Sequence, residues 1–517
     1  MQGRREFVKM ATGAVGLAAL GARPGRAQAQ AAPRPGGTAR VALSTNFDDP
    51  DPHKYRSITN FNLFTLCTEG LTDVGKHFEV QPCLAESWQI SPNGLEYVFT
   101  LRRGVTFHNG QPLTPADVKA SLERIMNPKT ASAQRSDFAL VQSIAAVDAQ
   151  RVRITLKQPF APFLTKVATA RVPILHAGSL PAEGSVSRVV GTGSWELVEW
   201  KTNEYVRLKR FKDYREKTLP YIDEVIVKPI ADANTRLAGL RAGDLEFIQE
   251  LPYKDIDTLR AARNIVAHSG PGSFPSYIVF NCRKPPFDDA RVRQAVAHAV
   301  DKKGLINGHL WGHAQVTNQP FPNGSPWRLD VKERELDLDR ARKLMAEAGL
   351  GNGFEVPILI STGWAEFVEG AQVLQSQLKK IDITLKLDVT DLATWVARVN
   401  KRDFNLFYLW YSARYDPDDF YRRMFHSSEE TSNNRSGYHT AALDALLDQG
   451  ATTRDPAERK RIYTRVLQTI IDEAPLIWTS IPDISLGWSA ALKGFEANIG
   501  GYLVYAGGGL GRAWLER

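Results

Sequence analysis

The sequence predicts an α/β protein, on three observations. Strand-like and helix-like runs alternate from about residue 277 to 411, the pattern of crossover units in a covered sheet. The run IDITLKLDV places Ile381, Ile383, Leu385, Leu387 and Val389 at every second position without a break, as a strand with one buried face requires. Before about residue 272 the composition differs, with short strands of period two and few helices, so the first half reads as a strand-rich α+β region.

Each element has its own local signal. TARVALST, from Thr38, is a β-prone run that ends in the turn-rich DDPDPHKYRS, and a helix is expected at about 57–69. In EYVFTLRRGVTF apolar and polar side chains alternate over Tyr97 to Leu101, a half-buried strand. TPADVKASLERIMNP carries a helix start: Thr114 as the cap, Pro115 at the first position where its missing N–H costs nothing, and Asp117 completing a capping box. Val118, Leu122 and Ile125 form the apolar stripe of that helix. RVRITLKQ is a strand, SWELVEWKTNEYVRLKRF a hairpin about Thr202-Asn203, DEVIVKPI a strand, and ANTRLAGLRAGD a helix stopped at Gly243.

In the second half, strand YIVFN (277–281) leads through Pro285-Pro286 into a single amphipathic helix over DDARVRQAVAHAVDKKGLI, capped by Asp288 or Asp289. DLDRARKLMAEAG is a helix with Leu344, Met345 and Ala348 inward and Gly349 at its end. Strand VPILIS, helix EFVEGAQVLQSQLKK, strand IDITLKLDV, helix ATWVARVNK and strand FNLFYLWY follow. Helices TAALDALLDQGATT and DPAERKRIYTRVLQTIIDEA come next, and from Ile484 the tail returns to short strand-like pieces rich in glycine and aromatics.

The first 29 residues read as a cleavable export signal. Arg4 and Arg5 precede an apolar run from Met10 to Ala22, and the small-residue triplet Ala27-Gln28-Ala29 closes it. Thirteen residues are too few to span a bilayer core, which needs roughly 20, and the paired arginines point to the twin-arginine route. No cysteine follows the run, so no lipid anchor is expected, and the expected location is the periplasm. Removal leaves 488 residues, two to four domains' worth. The signal carries half of the net charge of +8, and the remaining basic residues are dispersed, which gives no case for nucleic acid. Three cysteines in an exported chain mean one disulfide, with Cys67 and Cys83 as the nearer pair, or three buried thiols.

No constellation for chemistry emerges. GGGLG at 507–511 lacks the following helix and Lys-Ser/Thr of a phosphate loop and reads as coil, and VGTGSW at 190–195 reads as a tight turn before a hairpin. There is no G-x-S-x-G elbow and no cysteine or histidine spacing for zinc. His108 is expected to end a strand at a turn, and His426 and His439 to lie in a surface loop. The pairs Asp418-Asp419 and Glu429-Glu430 read as solvated loop carboxylates, because a catalytic dyad needs burial to separate its pKa values and nothing local suggests it. Catalytic residues, metal ligands and cofactors are therefore all expected to be absent. The segment LWYSARYDPDDF (409–420), dense in rings and acids, stands open between an acidic cluster, a metal site and a cleft wall.

Several blocks resemble the family 5 extracellular solute-binding proteins, the peptide, nickel and oligopeptide receptors of ABC importers. They are GLTDVGKHFEVQPCLAESWQISPNGLEYVFTLRRGVTFHNGQPLTPADVKASLERI, VVGTGSWEL, NCRKPPFDDARVRQAVAHAVDKKGLI, NRSGYHTAALDALL and RIYTRVLQTIIDEAPLIW, in the family's order over nearly the whole mature chain. The resemblance implies the large, three-subdomain type of two-lobe periplasmic-binding-protein fold with a hinged interlobe ligand cleft. It implies a first-lobe core from residues 36–75, 190–270 and 485–517, an inserted subdomain over 76–189, and a second lobe over 271–484. The function implied is capture without turnover by a monomer: the solute binds between the lobes, closure hides it, and the closed form meets membrane permease subunits. Only differential contacts with the closed state can drive that closure.

In the family's peptide receptors a tryptophan is followed three residues later by an aspartate that grips the peptide ammonium. Trp410 matches the tryptophan and Asp416-Pro417 the later DP pair, but the aspartate position is Ala413, with Arg414 beside it. Losing that carboxylate removes a charge-assisted bond of roughly 1.5–3 kcal/mol, which argues against an ordinary peptide with a free amino terminus. The opposite wall implied by the resemblance is Tyr55, Arg56, Ser57 and Ile58. Arg56 and Arg414 suit a carboxylate or phosphate held bidentately, or else form rim pairs with Asp48, Asp49, Asp416 or Asp418. Trp364, Trp410 and Tyr411 supply flat apolar surface. The expected solute is peptide-like or an acidic organic molecule such as an opine-like conjugate. A nickel chelate is the alternative within the class; a periplasmic hydrolase and a chaperone-like or sensory binding protein are the alternatives outside it.

Overall fold

The computed structural model describes residues 32–47, 49–54, 58–168, 172–332, 334–411, 415–431 and 433–516. The expected signal over 1–29 lies outside them.

The largest sheet has seven strands in the order Ile265–Gly270, Ile484–Ser489, Phe247–Gln249, Thr38–Leu43, Glu224–Pro229, Tyr205–Arg210, Trp195–Lys201. Thr38–Leu43 runs parallel to both of its neighbours, whereas Ile484–Ser489, from the tail, inserts antiparallel between Phe247–Gln249 and Ile265–Gly270. A second sheet has six strands in the order Ala314–Val316, Leu476–Pro482, Ser276–Phe280, Leu406–Trp410, Phe354–Ser361, Ile383–Thr390. Its parallel members are joined through the helices Ala365–Leu378 and Leu392–Asn400, as the alternation in the sequence predicted. A four-stranded antiparallel sheet, Ala85–Ile90, Glu96–Leu101, Arg151–Leu156, Val141–Ala146, is covered by the helix Pro115–Met126. Each of the three sheets has a buried apolar cluster of its own.

Local signals placed these elements well. Glu96–Leu101 alternates half-buried and buried positions, and the stripe Val118, Leu122 and Ile125 is buried. The Asp117 carboxylate accepts from the Thr114 backbone N–H at 2.9 Å and from its hydroxyl at 2.6 Å. Asn203 takes the left-handed conformation in the hairpin loop, and Gly243 does so at the end of its helix. Asp289, not Asp288, caps the next helix.

Three expectations need correction. The helix over 288–306 is two helices, Ala290–Ala299 and Lys302–Leu310, broken at Val300-Asp301. Asp301 caps the second by accepting from the Gly304 N–H at 2.9 Å, and the Gln377 side chain brackets its backbone at 3.0 Å in both directions. That second contact is tertiary and leaves no periodic trace. The helix expected to reach 69 ends as Ile58–Phe64, because the carbonyls of Leu66 and Cys67 accept from Trp195 and Gly193. VGTGSW is accordingly no tight turn: a Cβ on Gly191 would stand 2.1 Å from the Cys67 carbonyl oxygen, and one on Gly193 would stand 2.5 Å from its carbon. Glycine is required there by close approach of two backbones.

The chain crosses from the first sheet to the second between Gly270 and Ser276 and returns between Pro482 and Ile484. The crossings touch, since a Cβ on Gly272 would meet the Pro482 carbonyl oxygen at 2.0 Å. No disulfide joins Cys67, Cys83 and Cys282; the first two are buried and Cys282 is half-buried, so the Cys67–Cys83 pairing does not form. Burial raises the Cys67 thiol to about 12 and the Cys282 thiol to about 11, which makes both poor nucleophiles.

Candidate functional site

Strand Leu406–Trp410 is central in the second sheet, and its end delivers Trp410 and Tyr411 to the level of the crossings. The Tyr411 N–H donates to the carbonyl of Pro275 at 3.0 Å. Trp364 precedes the helix Ala365–Leu378 and meets Trp410 edge-on at 5.7 Å, with Trp395 at 6.4 Å on its other side. Trp410 in turn meets Phe274, of the first crossing, at 5.5 Å. Trp395 belongs to the core of the second sheet, while Phe274 packs on the core of the first. The line Trp395–Trp364–Trp410–Phe274 thus joins the two cores with half-buried rings in its middle. Trp364 and Trp410 were foreseen in contact with a solute and do come together; Phe274 was missed, because a single aromatic in GPGSFPSY has no periodicity to mark it.

Tyr55, Arg56, Ser57, Ala413 and Arg414 lie outside the described residues. Beyond 414 the segment departs from expectation. Tyr415 enters the core of the first sheet, its hydroxyl 2.8 Å from that of Tyr502 and its ring 4.7 Å from Phe78. Asp416 is the cap of the helix Pro417–Phe425, accepting from the Asp418 N–H at 2.9 Å. Asp418 and Asp419 are not solvated: they are 4 % and 5 % exposed. Asp418 accepts from Arg422 Nε at 3.0 Å and from the Tyr463 hydroxyl at 3.3 Å; burial nevertheless raises its pKa. Asp419 is held by Lys166, which also donates to Asp137 at 3.0 Å, and Arg423 reaches Asp137 at the same distance. The acids therefore serve as cap and buried ion partners, and none is disposed as a proton donor to a solute.

The first sheet contributes buried amides. Asn498 Oδ1 accepts from the N–H groups of Gly500 and Tyr502 at 3.1 and 2.9 Å, and Asn62 Oδ1 accepts from the Leu503 N–H at 3.0 Å. On the second sheet's side, half-buried Glu366 stands in the first turn of the helix after Trp364. Desolvation, with Glu250 and Glu369 adding repulsion, raises its carboxyl to about 7.

One cluster invites a catalytic reading and fails it. The Ser269 hydroxyl lies 2.9 Å from His313 Nδ1 and 2.6 Å from Asp483 Oδ2. In a hydrolytic triad the imidazole stands between serine and acid, oriented by the acid; here the serine stands in the middle, and its proton is claimed by a carboxylate. Among the described residues no group of three or more His, Cys, Asp or Glu could hold a metal ion, and no helix is long and apolar enough to cross a membrane. His108 is held by the Gly193 carbonyl at 3.1 Å. The glycines after Ala506 are not plain coil, since Gly508–Gly509 pairs with Val504–Tyr505 beside a polar cavity lined by Glu69, Tyr214 and Arg215.

Residues 79–433 match the family described as bacterial extracellular solute-binding proteins, family 5. The chain is 29% identical over 465 residues to the glutathione-binding protein GsiB of Escherichia coli K12, covering 88% of this chain and 91% of that protein. The binding protein AgaA from A. tumefaciens R10, solved with agropinic acid, superposes with a TM-score of 0.80 at 29% identity over 93% of this chain and 99% of its own. DppA from Helicobacter pylori, solved with the peptide STSA, gives 0.79 at 26% identity over 94% and 99%. The α/β periplasmic-binding fold follows from these superpositions. The chain belongs to the bacterial extracellular solute-binding proteins of family 5, receptors that capture a solute for an ABC importer and catalyse no reaction on it.

Proposed function

We propose that this receptor captures an acidic, peptide-like organic solute, of the opine or glutathione kind, between its two large sheets and delivers it to permease subunits in the membrane. The observation that carries the reading is the line of rings from Trp364 through Trp410 to Phe274. It offers flat apolar surface where the two cores meet, directly before the position at which Ala413 replaces the ammonium-binding aspartate of peptide receptors. Tyr411 extends the apolar wall, Arg414 and Arg56 take the solute's acidic group, and Tyr55 and Ser57 complete the opposite wall. The names of the relatives, one for glutathione and one solved with agropinic acid, support that solute class.

In this reading the lobes divide as 36–75, 190–270 and 485–517 for the first core, 76–189 for the insert and 271–484 for the second lobe. Sheet membership supports this division, including the tail strand Ile484–Ser489 in the first sheet. Export by the twin-arginine route to the periplasm is the reading of residues 1–29.

Mass spectrometry of the compound released on denaturing the purified protein tests the solute class, followed by calorimetric titration with acidic conjugates and unmodified dipeptides. Tight binding of plain dipeptides with no heat from any acidic solute would overturn the reading.

A further inference from the structure

The module built on the four-stranded sheet meets the second lobe along a seam that uses neither the crossings nor the line of rings. At its centre is a square of charges. Lys166 donates to Asp419 across the seam and to Asp137 on its own side, the latter at 3.0 Å, and Arg423 reaches back across to Asp137 at 3.0 Å. The side chains of Lys166, Asp137 and Asp419 are buried, and Arg423 is half-buried. Beside the square, the Ala161 N–H donates to the Ala451 carbonyl at 2.8 Å. Arg454, just past the helix Ala441–Thr452, donates from Nη1 to the carbonyls of Ser91 and Pro92 at 2.9 Å each.

Each face of the seam supplies one cation and one anion to the square. On the module's face Lys166 and Asp137 are already bonded to each other. On the helix Pro417–Phe425, Asp419 and Arg423 stand one turn apart with the acid first, the spacing at which opposite charges on a helix pair. The same helix shows such a pair one residue earlier, where Arg422 Nε donates to Asp418 at 3.0 Å. Breaking a buried ion pair is costly because a charge is left uncompensated. Here parting the seam leaves a cation beside an anion on both faces, so the charges hold it when joined and release it without an orphan. The carbonyls of Ser91 and Pro92 lie at an exposed edge, where water takes the place of Arg454.

We propose that this seam is the closure latch of the receptor, joined when the lobes close over a solute and parted when they open. Lys166, Asp137, Asp419, Arg423 and Arg454 then set the fraction of closed receptor without touching the solute, and apparent affinity scales with that fraction. The latch rests on the division into lobes given above, in which 76–189 moves with the first core. Hydrogen–deuterium exchange of the full chain without solute tests it, read at Ala161 by mass spectrometry. The flanking Pro159 and Pro162 carry no N–H, so few other amides share that stretch.

Opening frees the Ala161 N–H without unfolding either side, so it is expected to exchange at least tenfold faster than the amides of Glu96–Leu101 and Leu406–Trp410. Asp419→Asn combined with Arg423→Gln removes one face's half of the square and leaves Lys166 and Asp137 to each other. Arg454→Gln removes only the contacts to Ser91 and Pro92. The double variant should quicken Ala161 exchange at least tenfold and Arg454→Gln at least threefold, with the strand amides unchanged. Fast exchange at Ala161 that Arg454→Gln leaves unaltered would overturn the latch alone. Exchange at Ala161 as slow as in the strands would show one permanent body and overturn both the latch and the placing of 76–189 with the first lobe. No solute enters the measurement, so either failure leaves the acidic-solute reading standing.

Discussion

Arg459 grips Asp416 with two parallel bonds, Nη1 to Oδ2 at 2.6 Å and Nη2 to Oδ1 at 2.7 Å, and both side chains are 4 % exposed. The third guanidinium nitrogen, Nε, donates to the Gly450 carbonyl at 2.8 Å, and the guanidinium lies over Trp327 and Tyr463. The exit of the 409–416 segment is thereby fixed to the helix Pro456–Glu473, while Trp410 and Tyr411 stand at its entrance.

Arg459→Met leaves a buried carboxylate without its cation, and breaking such a pair costs about 3–5 kcal/mol. Asp416→Asn keeps a good helix cap but strands the guanidinium. Each single variant should therefore lose stability in urea unfolding, and the double variant should lose less than their sum. Additive losses would mean that the two groups act independently.

How far this was legible in the sequence follows from the reach of each interaction. The strand Glu96–Leu101 and the cap at Thr114 were readable because their determinants lie within a few residues. The burial of Asp419 was not, because Lys166 stands 253 residues away and nothing near either one announces the other. The same holds for Tyr415, whose partner Tyr502 lies 87 residues on, and for the helix break at Asp301, bracketed by Gln377 76 residues later. Trp364 and Trp410 were found through the resemblance and a count of aromatics, Phe274 through neither. Alternation and capping are local properties, whereas ion pairs and ring contacts between sheets exist only once the chain has folded.

Lys166, 6 % exposed, joins the four-stranded sheet's module to the helix Pro417–Phe425 through Asp419 and Asp137. Because the network is buried, salt should screen it poorly. Lys166→Met is expected to destabilise the protein by about 3 kcal/mol or more, with a loss that persists at high ionic strength. A loss that vanishes in molar salt would place these charges in water.

Glu366 should make the protein less stable as pH rises. Its folded carboxyl titrates at about 7 against 4.5 unfolded, so between those values the folded chain holds the extra proton. The cost of charging it grows from pH 4.5 and is complete above 7. Glu366→Gln should therefore be more stable than the parent at pH 8, and the gap should close on acidification to pH 4.5. A gap independent of pH would mean that the carboxyl titrates normally.

His53 acts with the opposite sign. It is 1 % exposed, with Nε2 2.8 Å from the Pro173 carbonyl and Nδ1 3.0 Å from Arg124 Nη1. Arginine can only donate, so Nδ1 accepts and the ring is neutral with its hydrogen on Nε2. Protonation would set a second N–H against the guanidinium, which is itself paired with Asp51 at 2.6 and 3.1 Å. Burial chiefly, with Arg124 adding to it, depresses the imidazole from 6.5 to about 4, although the Pro173 bond and Asp51 pull it back. Between those values the unfolded chain binds the extra proton, so stability present above pH 6.5 is lost as pH falls toward 4. The loss approaches roughly 3 kcal/mol at 1.36 kcal/mol per unit. Urea unfolding of the parent and His53→Gln from pH 8 to 4 measures it. The variant should be the less stable at pH 8, for want of the ring's packing and its two contacts, and should overtake or equal the parent near pH 4. Curves that stay parallel across the range would show that His53 is not the group that titrates.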